Sequence, residues 1–260
     1  MITRLFSRSR PQRQGPSAQL PEGQRVYAVG DVHGMLEQLE DLLSRIEADN
    51  EARGPARTTV IFLGDLIDRG PDSAQVVERL REIAEASTPG TIRFLLGNHE
   101  EVLLAVLGGS QKALRFFNRI GGRETLLSYG IPASVYASCE YSELLERAQA
   151  AVPVEHVEFL RGFEDMIVLG DYAFVHAGID PRRALDEQET AHLRWIREEF
   201  LDHRGTLDKV VVHGHTVSED VEQFAHRIGI DTGAFAGGPL TAMGFEGRDR
   251  WILQAPSNAA

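Results

Sequence analysis

Five short segments of the chain place carboxylate, imidazole or amide side chains on turns that contain a glycine. Each segment follows a run of apolar residues of the kind that forms a buried strand. In chain order they are Gly30-Asp31-Val32-His33-Gly34, Gly64-Asp65-Leu66-Ile67-Asp68-Arg69-Gly70, Gly97-Asn98-His99-Glu100, His176-Ala177-Gly178 and Gly214-His215-Thr216. A single turn of this kind is equally well explained by an Asx hydrogen bond, whereas five in order indicate metal ligands that converge.

The side chains on these turns suit a pair of divalent metal ions. A dinuclear centre needs carboxylate oxygens and imidazole nitrogens, with one group that bridges both ions. Asp31 and His33 lie two residues apart and can converge on one ion, and Asp65 is placed to bridge. The second ion would be completed by Asn98, His176 and His215. Two ions about 3.5–4 Å apart would hold a bridging water that is acidic enough to attack phosphorus.

Four further residues have side chains that suit phosphate chemistry. The guanidinium groups of Arg69 and Arg197 each offer a bidentate, permanently charged fork for phosphate oxygens. His99 could protonate the leaving oxygen, and Asp68 could orient His99 by accepting a hydrogen bond from its other ring nitrogen. The predicted reaction is hydrolysis of a phosphate ester by direct attack of the bridging water, without a phosphoenzyme.

Alternating strand-like and helix-like runs must position these residues. Apolar runs predict strands at 26–29, 60–63, 92–96, 166–169, 172–176, 209–213, 227–231, 240–245 and 251–254. Helical periodicity follows the first three of these runs, at 35–46, 73–85 and 101–107. Because ligands of open α/β sheets gather beyond the carboxyl ends of the strands, the metal site is predicted at that edge.

Two segments depart from this alternation. Residues 1–22 combine several arginines with prolines, which predicts a disordered basic tail. Residues 110–165 are mostly helical in pattern, and we expect a helical insert that covers one side of the site. The remainder, 23–260, is predicted to form a single domain. No apolar run has the length of a secretory signal or of a membrane-spanning helix.

Charge and cysteine content restrict the classes of partner. A net charge of −12 argues against binding nucleic acid by neutralising its phosphates, because that mechanism needs a basic face. Cys139 is the only cysteine, so an intrachain disulfide is impossible and a reducing, cytoplasmic location is predicted. We expect no membrane or nucleic-acid partner, and a monomer is favoured.

The motifs resemble those of the phosphoprotein phosphatases, a branch of the calcineurin-like metallophosphoesterases. The likeness is greatest to the bacterial and bacteriophage serine/threonine phosphatases of the lambda type, and it runs from about Arg25 to the C-terminus. It includes Leu193-Arg194-Trp195-Ile196-Arg197-Glu198, which is similar to the Trp-x-Arg-Glu segment of the family. It also includes Gly229-Ile230-Asp231-Thr232-Gly233-Ala234, which resembles the strand and turn that close the family's fold.

This resemblance implies an α/β fold with a central β-sandwich of two mixed sheets flanked by helices. It implies a first ion on Asp31, His33 and Asp65, and a second on Asp65, Asn98, His176 and His215. It also implies that His99 acts as general acid and that Arg69 and Arg197 bind phosphate. The expected metal is manganese, with iron or zinc as alternatives, and the expected substrate is a protein or peptide phosphorylated on serine or threonine.

A second function stays open, because symmetrical diadenosine tetraphosphate hydrolases share the metal core. Those enzymes tend to have other residues at the positions of Asp68, Glu100 and Thr216, and a longer segment before the last histidine. The chain sides with the protein phosphatases at these points, so a serine/threonine phosphatase is the favoured prediction. The alternative is a dinucleotide hydrolase or a broad small-molecule phosphatase. A catalytically silent phosphate-binding scaffold ranks last.

Other polar residues have simpler interpretations. His213 is expected to pack or to support the ligands, without binding metal itself, and Asp231 is interpreted as structural although it could lie near the site. Glu198 could orient the adjacent Arg197. The histidines interpreted as surface residues are His156, His192, His203 and His226.

Overall fold

Ten β-strands and ten α-helices make up the fold in a computed structural model, which describes residues 18–257. The strands are β1 (Gln24–Val29), β2 (Arg57–Phe62), β3 (Ile92–Phe94), β4 (Met166–Leu169), β5 (Tyr172–Val175), β6 (Val210–His213), β7 (Glu222–Gln223), β8 (Arg227–Gly229), β9 (Leu240–Glu246) and β10 (Asp249–Ala255). The helices are α1 (Leu36–Ala52), α2 (Ser73–Ala86), α3 (Asn98–Leu107), α4 (Gln111–Ile120), α5 (Gly122–Ser128), α6 (Ala133–Ser138), α7 (Tyr141–Ala151), α8 (Val154–Arg161), α9 (Thr190–Trp195) and α10 (Glu198–Leu201).

The strands form two mixed sheets of five strands each. The first has the order β10-β9-β1-β2-β3, in which β1, β2 and β3 are parallel and β9 is antiparallel to both of its neighbours. The second has the order β4-β5-β6-β8-β7, in which β5, β6 and β8 are parallel and the two edge strands are antiparallel. Each sheet therefore has a parallel centre, and the carboxyl ends of its strands can gather ligands.

The two sheets pack against each other through alternate residues of their strands. In β1, Val26 and Ala28 belong to a core that also contains Phe174 of β5 and Val212 of β6. The intervening residue Tyr27 belongs to a second core, which lies between the first sheet and the helices. Successive side chains of a strand point to opposite faces, so β1 is buried on both. This two-sided burial explains why β1 is continuously apolar from Val26 to Val29.

Helices cover the outer face of both sheets. Residues of α1, α2, α3, α4, α5, α7 and α8 pack into the core on the first sheet. On the second sheet, Leu193 of α9 and Phe200 of α10 pack against Val175 and Val211. The predicted α/β sandwich of two mixed sheets flanked by helices is thus confirmed. Five of the helices, α4 to α8, occupy the range in which the sequence predicts a helical insert.

The start of the described chain differs from the predicted tail. Ala18 and Leu20 are buried in the core between the sheets. The Leu20 backbone N–H donates to the Gly247 carbonyl at 2.8 Å, and the Gln19 N–H donates to Asp171 Oδ2 at 3.1 Å. Residues 18–22 are therefore part of the folded domain, and the rest of the predicted tail, 1–17, lies outside the described residues. None of the helices between residues 18 and 257 is long and apolar enough to cross a bilayer.

Candidate metal centre

The side chains of the five motifs meet at the carboxyl ends of strands from both sheets. Asp31 and Asp65 follow β1 and β2 of the first sheet, and His176 and His215 follow β5 and β6 of the second. The six predicted metal ligands Asp31, His33, Asp65, Asn98, His176 and His215 are all buried. Burying this many polar groups is unfavourable unless they form hydrogen bonds within the protein or bind an ion.

Glycines in the motifs are needed because backbone and carboxylate approach each other closely. A Cβ atom on Gly97 would lie 2.2 Å from Asp65 Oδ1, and one on Gly214 would lie 2.0 Å from Asp31 Oδ1. Any side chain at these two positions would therefore displace the carboxylates. The adjacent residue His215 has a left-handed backbone conformation with φ of 64°. Such strain in a non-glycine residue is typical of functional sites.

Several groups with only lone pairs to offer surround His176. Its Nδ1 donates to the Leu63 carbonyl at 2.8 Å, so its Nε2 is left facing the site. Nε2 lies 3.0 Å from Asn98 Oδ1, 3.2 Å from His215 Nδ1 and 3.4 Å from Asp65 Oδ2. Lone pairs at these separations repel one another unless a proton or a cation lies between them. This donor set of carboxylate, amide oxygen and imidazole nitrogen fits a divalent metal ion.

The pKa values of His176 and His215 show that the pocket holds one positive charge when no ion is bound. Burial acts to lower the pKa of His176, but the charges of Asp65 and Asp31 outweigh it and raise that pKa to about 9. Burial and the neighbouring His176 lower the pKa of His215 to about 2. Without an ion, His176 Nε2 therefore carries a proton, and a metal ion that binds this nitrogen would replace that proton.

The groups predicted for the other ion lie on the far side of Asp65. His33 Nδ1 donates to the Ile67 carbonyl at 2.7 Å. Its Nε2 lies 3.7 Å from Asp65 Oδ2 and is buried without a hydrogen-bond partner among residues 18–257. Asp31 accepts the His215 backbone N–H at 3.0 and 3.1 Å. An orphaned imidazole nitrogen next to carboxylates, oriented by a backbone carbonyl, is the usual arrangement of a metal-binding histidine.

His99 is buried beside Asp65 and contacts an acidic and a basic side chain, Asp68 and Arg69. Its Nδ1 lies 2.6 Å from Asp68 Oδ2, and its Nε2 lies 3.1 Å from Arg69 Nη2. A guanidinium can only donate, so Nε2 accepts and Nδ1 carries the proton shared with Asp68. Thr125 Oγ1 in turn donates to Asp68 Oδ1 at 2.6 Å. Burial lowers the pKa of His99, but Asp65 and Asp68 raise it above its usual range.

Arg69 is fixed from three sides, one of which the motifs do not predict. Its Nε donates to the Ile120 carbonyl at 3.5 Å, and its Nη2 donates to His99. Its Cζ lies 4.3 Å from the centroid of the Phe235 ring, which also meets the His33 ring edge-on at 5.0 Å. The only local signal for Phe235 is an aromatic residue directly after the segment that closes the fold.

Arg197 lies on the other side of the cluster and is exposed. Its Nη1 donates to Thr216 Oγ1 at 3.3 Å, next to His215, and its charge contributes to the low pKa of that histidine. Arg197 also lines a cleft of about 280 Å³ together with Trp195 and Arg182. The two predicted phosphate-binding arginines thus lie on either side of the metal cluster.

Glu100 holds the turn that carries Asp65, a contact that the motif pattern alone does not reveal. Its Oε1 accepts the backbone N–H groups of Leu66 at 2.7 Å and Ile67 at 3.3 Å. Its Oε2 accepts those of Asp65 at 2.9 Å and Gly97 at 3.1 Å. The carboxylate is fully buried, and burial together with the charge of Asp65 raises its pKa to about 7. Two of the turns that carry predicted metal ligands are therefore held by one side chain.

Replacing Glu100 with glutamine should lower the free energy of unfolding by about 2–4 kcal/mol. The amide group would direct two donors at backbone N–H groups, which would leave buried donors without an acceptor. Urea unfolding of the metal-free protein measures the effect. Glu101→Gln is the matched control, because the neighbouring side chain is 40% exposed and should tolerate the change. Equal stability of the two variants would contradict this account of Glu100.

The remaining histidines fall into two groups. His213 packs edge-on against Phe200 and faces the Gly214 carbonyl at 3.1 Å, which confirms its predicted packing role. The surface prediction is wrong for His156 and His226, which are only 6% and 7% exposed. His156 is buried because its ring bridges two elements. Its Nδ1 lies 2.9 Å from the hydroxyl of Tyr129, directly after α5, and its Nε2 lies 2.7 Å from Glu78 Oε2 on α2.

Comparison with known proteins agrees with this geometry. The chain matches the calcineurin-like phosphoesterase family over residues 24–237. The asymmetrical bis(5'-nucleosyl)-tetraphosphatase PrpE of Oceanobacillus iheyensis is 25% identical over 242 residues, which cover 85% of this chain and 88% of the relative. A symmetrical bis(5'-nucleosyl)-tetraphosphatase of Methylococcus capsulatus is 31% identical over 189 residues, which cover 73% of this chain. That second match spans only about half of the relative, 51% of its length.

A solved structure supports the fold. The crystal structure of a protein proposed to be a diadenosine tetraphosphatase superimposes with a TM-score of 0.63, covering 91% of this chain and 95% of the other at 24% identity. Neither of the two sequence relatives carries the name of a protein phosphatase, the function that the motifs favour. Because the family match extends over most of the sequence and the buried ligands fit two divalent ions, the chain belongs to the calcineurin-like phosphoesterase family of metal-dependent hydrolases.

Proposed function

We propose that the protein hydrolyses bis(5'-nucleosyl) tetraphosphates at a dinuclear metal centre. The observation that carries hydrolysis of a phosphate ester is the convergence of lone pairs on His176 Nε2, from Asn98, His215 and Asp65 at 3.0–3.4 Å. Support for the substrate class comes from the similarity to PrpE, which extends over most of both chains. The arginines on either side of the cluster suit a substrate with several phosphates.

Each residue of the site has a proposed role in this reaction. Two divalent ions, for which manganese is our proposal, would supply Lewis acidity and acidify a water molecule. Arg69 and Arg197 bind the non-bridging oxygens of the phosphoryl group under attack and stabilise the charge that develops there. In its doubly protonated form, which its raised pKa favours, His99 donates the proton on Nε2 to the leaving oxygen, and Arg69 then turns from Nε2 to the phosphoryl oxygens. Asp68 keeps the ring oriented through Nδ1.

Hydrolysis of phosphoserine and phosphothreonine in proteins is the second candidate, and one contact favours it. The 2.6 Å contact between His99 Nδ1 and Asp68 Oδ2 forms a well-oriented general acid. A serine alkoxide is a far stronger base than the phosphate oxygen of a departing nucleotide, so it needs such an acid more. The residue types at Glu100 and Thr216 point in the same direction.

A direct comparison of substrates separates the two candidates. The purified protein with added Mn²⁺ is assayed on diadenosine tetraphosphate, a phosphoserine peptide and a phosphotyrosine peptide at equal concentrations. We expect the highest kcat/KM for the dinucleotide. Chromatography then shows whether the products are ATP with AMP or two molecules of ADP. Preference for the phosphoserine peptide would establish the second candidate instead, and failure to hydrolyse any of the three would contradict both.

Phosphate binding should also depend on the ring of Phe235. Replacing Phe235 with leucine keeps an apolar side chain but removes the ring face under Arg69, so the inhibition constant of inorganic phosphate should rise by about 5-fold. That factor corresponds to about 1 kcal/mol, the usual strength of a partly exposed cation–π contact. Phe235→Tyr keeps the ring and should bind phosphate like the unmodified protein.

Phe224 provides a matched control for this test. Its ring lies 4.3 Å from Arg227 Cζ, the same separation as between Phe235 and Arg69, but on the second sheet away from the metal cluster. Phe224→Leu should leave phosphate inhibition unchanged. An equal rise in both leucine variants would mean that the effect is a general loss of stability.

A further inference from the structure

One carboxylate oxygen of Asp231 is buried and meets no hydrogen-bond donor among the residues that the structure describes. The residue follows β8 and is only 2% exposed. Its Oδ1 accepts the Gly233 backbone N–H at 3.0 Å, and its own carbonyl accepts the Ser218 N–H at 3.0 Å. Its Oδ2 is buried and has no hydrogen-bond partner in the described range 18–257. A carboxylate oxygen in that state costs several kcal/mol unless a cation compensates it.

The backbone places this carboxylate beside the predicted site of the first ion. Gly30, directly before Asp31, approaches the chain at Ile230 so closely that a Cβ atom there would lie 2.6 Å from the Ile230 carbonyl oxygen and 3.6 Å from the Asp231 nitrogen. The turns that carry Asp31 and Asp231 are therefore in direct contact. Consistent with this, burial and then the charge of Asp231 are the two largest causes that raise the pKa of Asp31.

We propose that Asp231 is a third carboxylate of the metal centre and acts on the ion that Asp31 and His33 would hold. With Asp65, these residues bring three negative charges to a buried pocket in which two divalent ions bring four positive ones. The net charge of this pocket with both ions bound would be +1 with Asp231 and +2 without it. Uncompensated charge is strongly unfavourable in a pocket from which water is largely excluded, so Asp231 should raise the affinity for metal.

A purely structural role for Asp231 makes a different prediction. In that case its function would end with the hydrogen bond from the Gly233 N–H, which fixes a glycine with φ of 70°. Asparagine keeps an oxygen for this bond and removes only the charge. Asp231→Asn therefore separates the two roles: a structural role leaves metal affinity unchanged, whereas a third carboxylate does not.

The test measures metal binding, independently of any substrate. The full chain is stripped of metal and titrated with Mn²⁺ by calorimetry, with free Mn²⁺ followed by electron paramagnetic resonance. For Asp231→Asn we expect the Kd of the weaker ion to rise by about 10–100-fold, the usual effect of a supporting carboxylate. Asp49→Asn is the control, because Asp49 lies on α1 and accepts hydrogen bonds from Tyr27 of β1 and Trp251 of β10, away from the site. Its Mn²⁺ affinity should be unchanged.

Thermal unfolding gives a second measurement, in which Asp231→Asn should stabilise the metal-free protein although it weakens metal binding. Removing one of three buried like charges should raise the Tm of the metal-free protein, and the further rise on saturation with Mn²⁺ should be smaller than in the unmodified chain. Unchanged Mn²⁺ affinity would overturn the proposal. A metal-free Tm below that of the unmodified chain, including a failure to fold, would also overturn it, because it would show that Asp231 stabilises the turn without opposing Asp31.

Discussion

Replacing His99 with asparagine should slow hydrolysis by about 10²–10⁴-fold for substrates whose leaving oxygen is strongly basic. Nδ1 of the ring is held by Asp68, so Nε2 is the nitrogen left to deliver a proton once it is protonated and no longer accepts from Arg69, 3.1 Å away. A leaving oxygen that is stable as an anion gains little from that proton. The loss should therefore be large for phenyl phosphate and small for 4-nitrophenyl phosphate.

A series of aryl phosphates with leaving groups of increasing basicity measures this effect. In the asparagine variant, kcat/KM should fall more steeply along the series than in the unmodified protein. Asp68→Asn should show the same trend to a smaller degree, because Nε2 remains but its orientation is weakened. His203→Asn replaces a histidine that follows α10 and packs against His226, and it should leave the slope unchanged.

Two outcomes would contradict these roles. An equal loss on every substrate of the series would indicate that His99 acts on the metal cluster or on stability, because a general acid discriminates between leaving groups. Unchanged turnover of phenyl phosphate by Asp68→Asn, alongside a large loss in the His99 variant, would show that Asp68 does not orient the ring. The buried contact of Asp68 with Thr125 would then be structural.

The strands and the ligand-bearing turns could be predicted because their signals are local. Residues 26–29 of β1 are buried on both faces, so they form an unbroken apolar run, and the carboxylate of Asp31 stands out after the single glycine that follows. In the same way, His176 directly follows the buried strand β5, and Asp65 follows the buried apolar end of β2 after two further residues. Since parallel strands bring their carboxyl ends to one edge, the order of such turns is enough to place the ligands together.

The residues that support these ligands could not be predicted, because their partners are distant in the chain. Glu100 accepts hydrogen bonds from a turn 33 to 35 residues earlier. His156 is buried by Glu78, which lies 78 residues away. Periodicity reports which face of an element is apolar, and it carries no information on which distant element packs there. For the same reason Phe235 and Asp231 acquire their surroundings only in the folded chain.

The substrate was the least predictable property for a different physical reason. The metal ligands, Arg69 and Arg197 would act on the phosphoryl group, which monoesters and dinucleotides share. Selectivity must arise where the rest of the substrate lies, such as the cleft beside Arg197 lined by Trp195 and Arg182. The motif neighbours favour a protein phosphatase, whereas the relatives that cover most of the chain are tetraphosphatases. Only the comparison of substrates decides between them.

Replacing Asp65 with asparagine should reduce kcat/KM by about 10³-fold or more on every phosphate ester. Asp65 Oδ2 lies 3.4 Å from His176 Nε2 and 3.7 Å from His33 Nε2, so both predicted ion sites depend on its charge. A loss of about 4 kcal/mol of transition-state stabilisation gives this factor. Calorimetry should show one Mn²⁺ bound tightly where the unmodified protein binds two.

Proton release during metal binding tests the same carboxylate without any substrate. The charge of Asp65 helps to raise the pKa of His176 to about 9, although burial opposes it, so His176 is protonated at pH 7.5 in the metal-free protein. An imidazole raised from 6.5 in this way stabilises the metal-free fold fully below pH 6.5, and that contribution is lost as the pH rises through 9. An ion that binds His176 must displace this proton.

The unmodified protein should therefore release about one proton from His176 on binding Mn²⁺ at pH 7.5, measured by calorimetry in buffers of different ionisation enthalpy. In Asp65→Asn the pKa of His176 falls towards the value that burial imposes, so the release should shrink. Glu101→Gln, which removes an exposed carboxylate on α3, is the control and should release as many protons as the unmodified chain. Undiminished proton release in Asp65→Asn, together with two tightly bound ions, would mean that Asp65 binds neither ion. The centre would then have to be assembled around Asp31 and Asp231 instead.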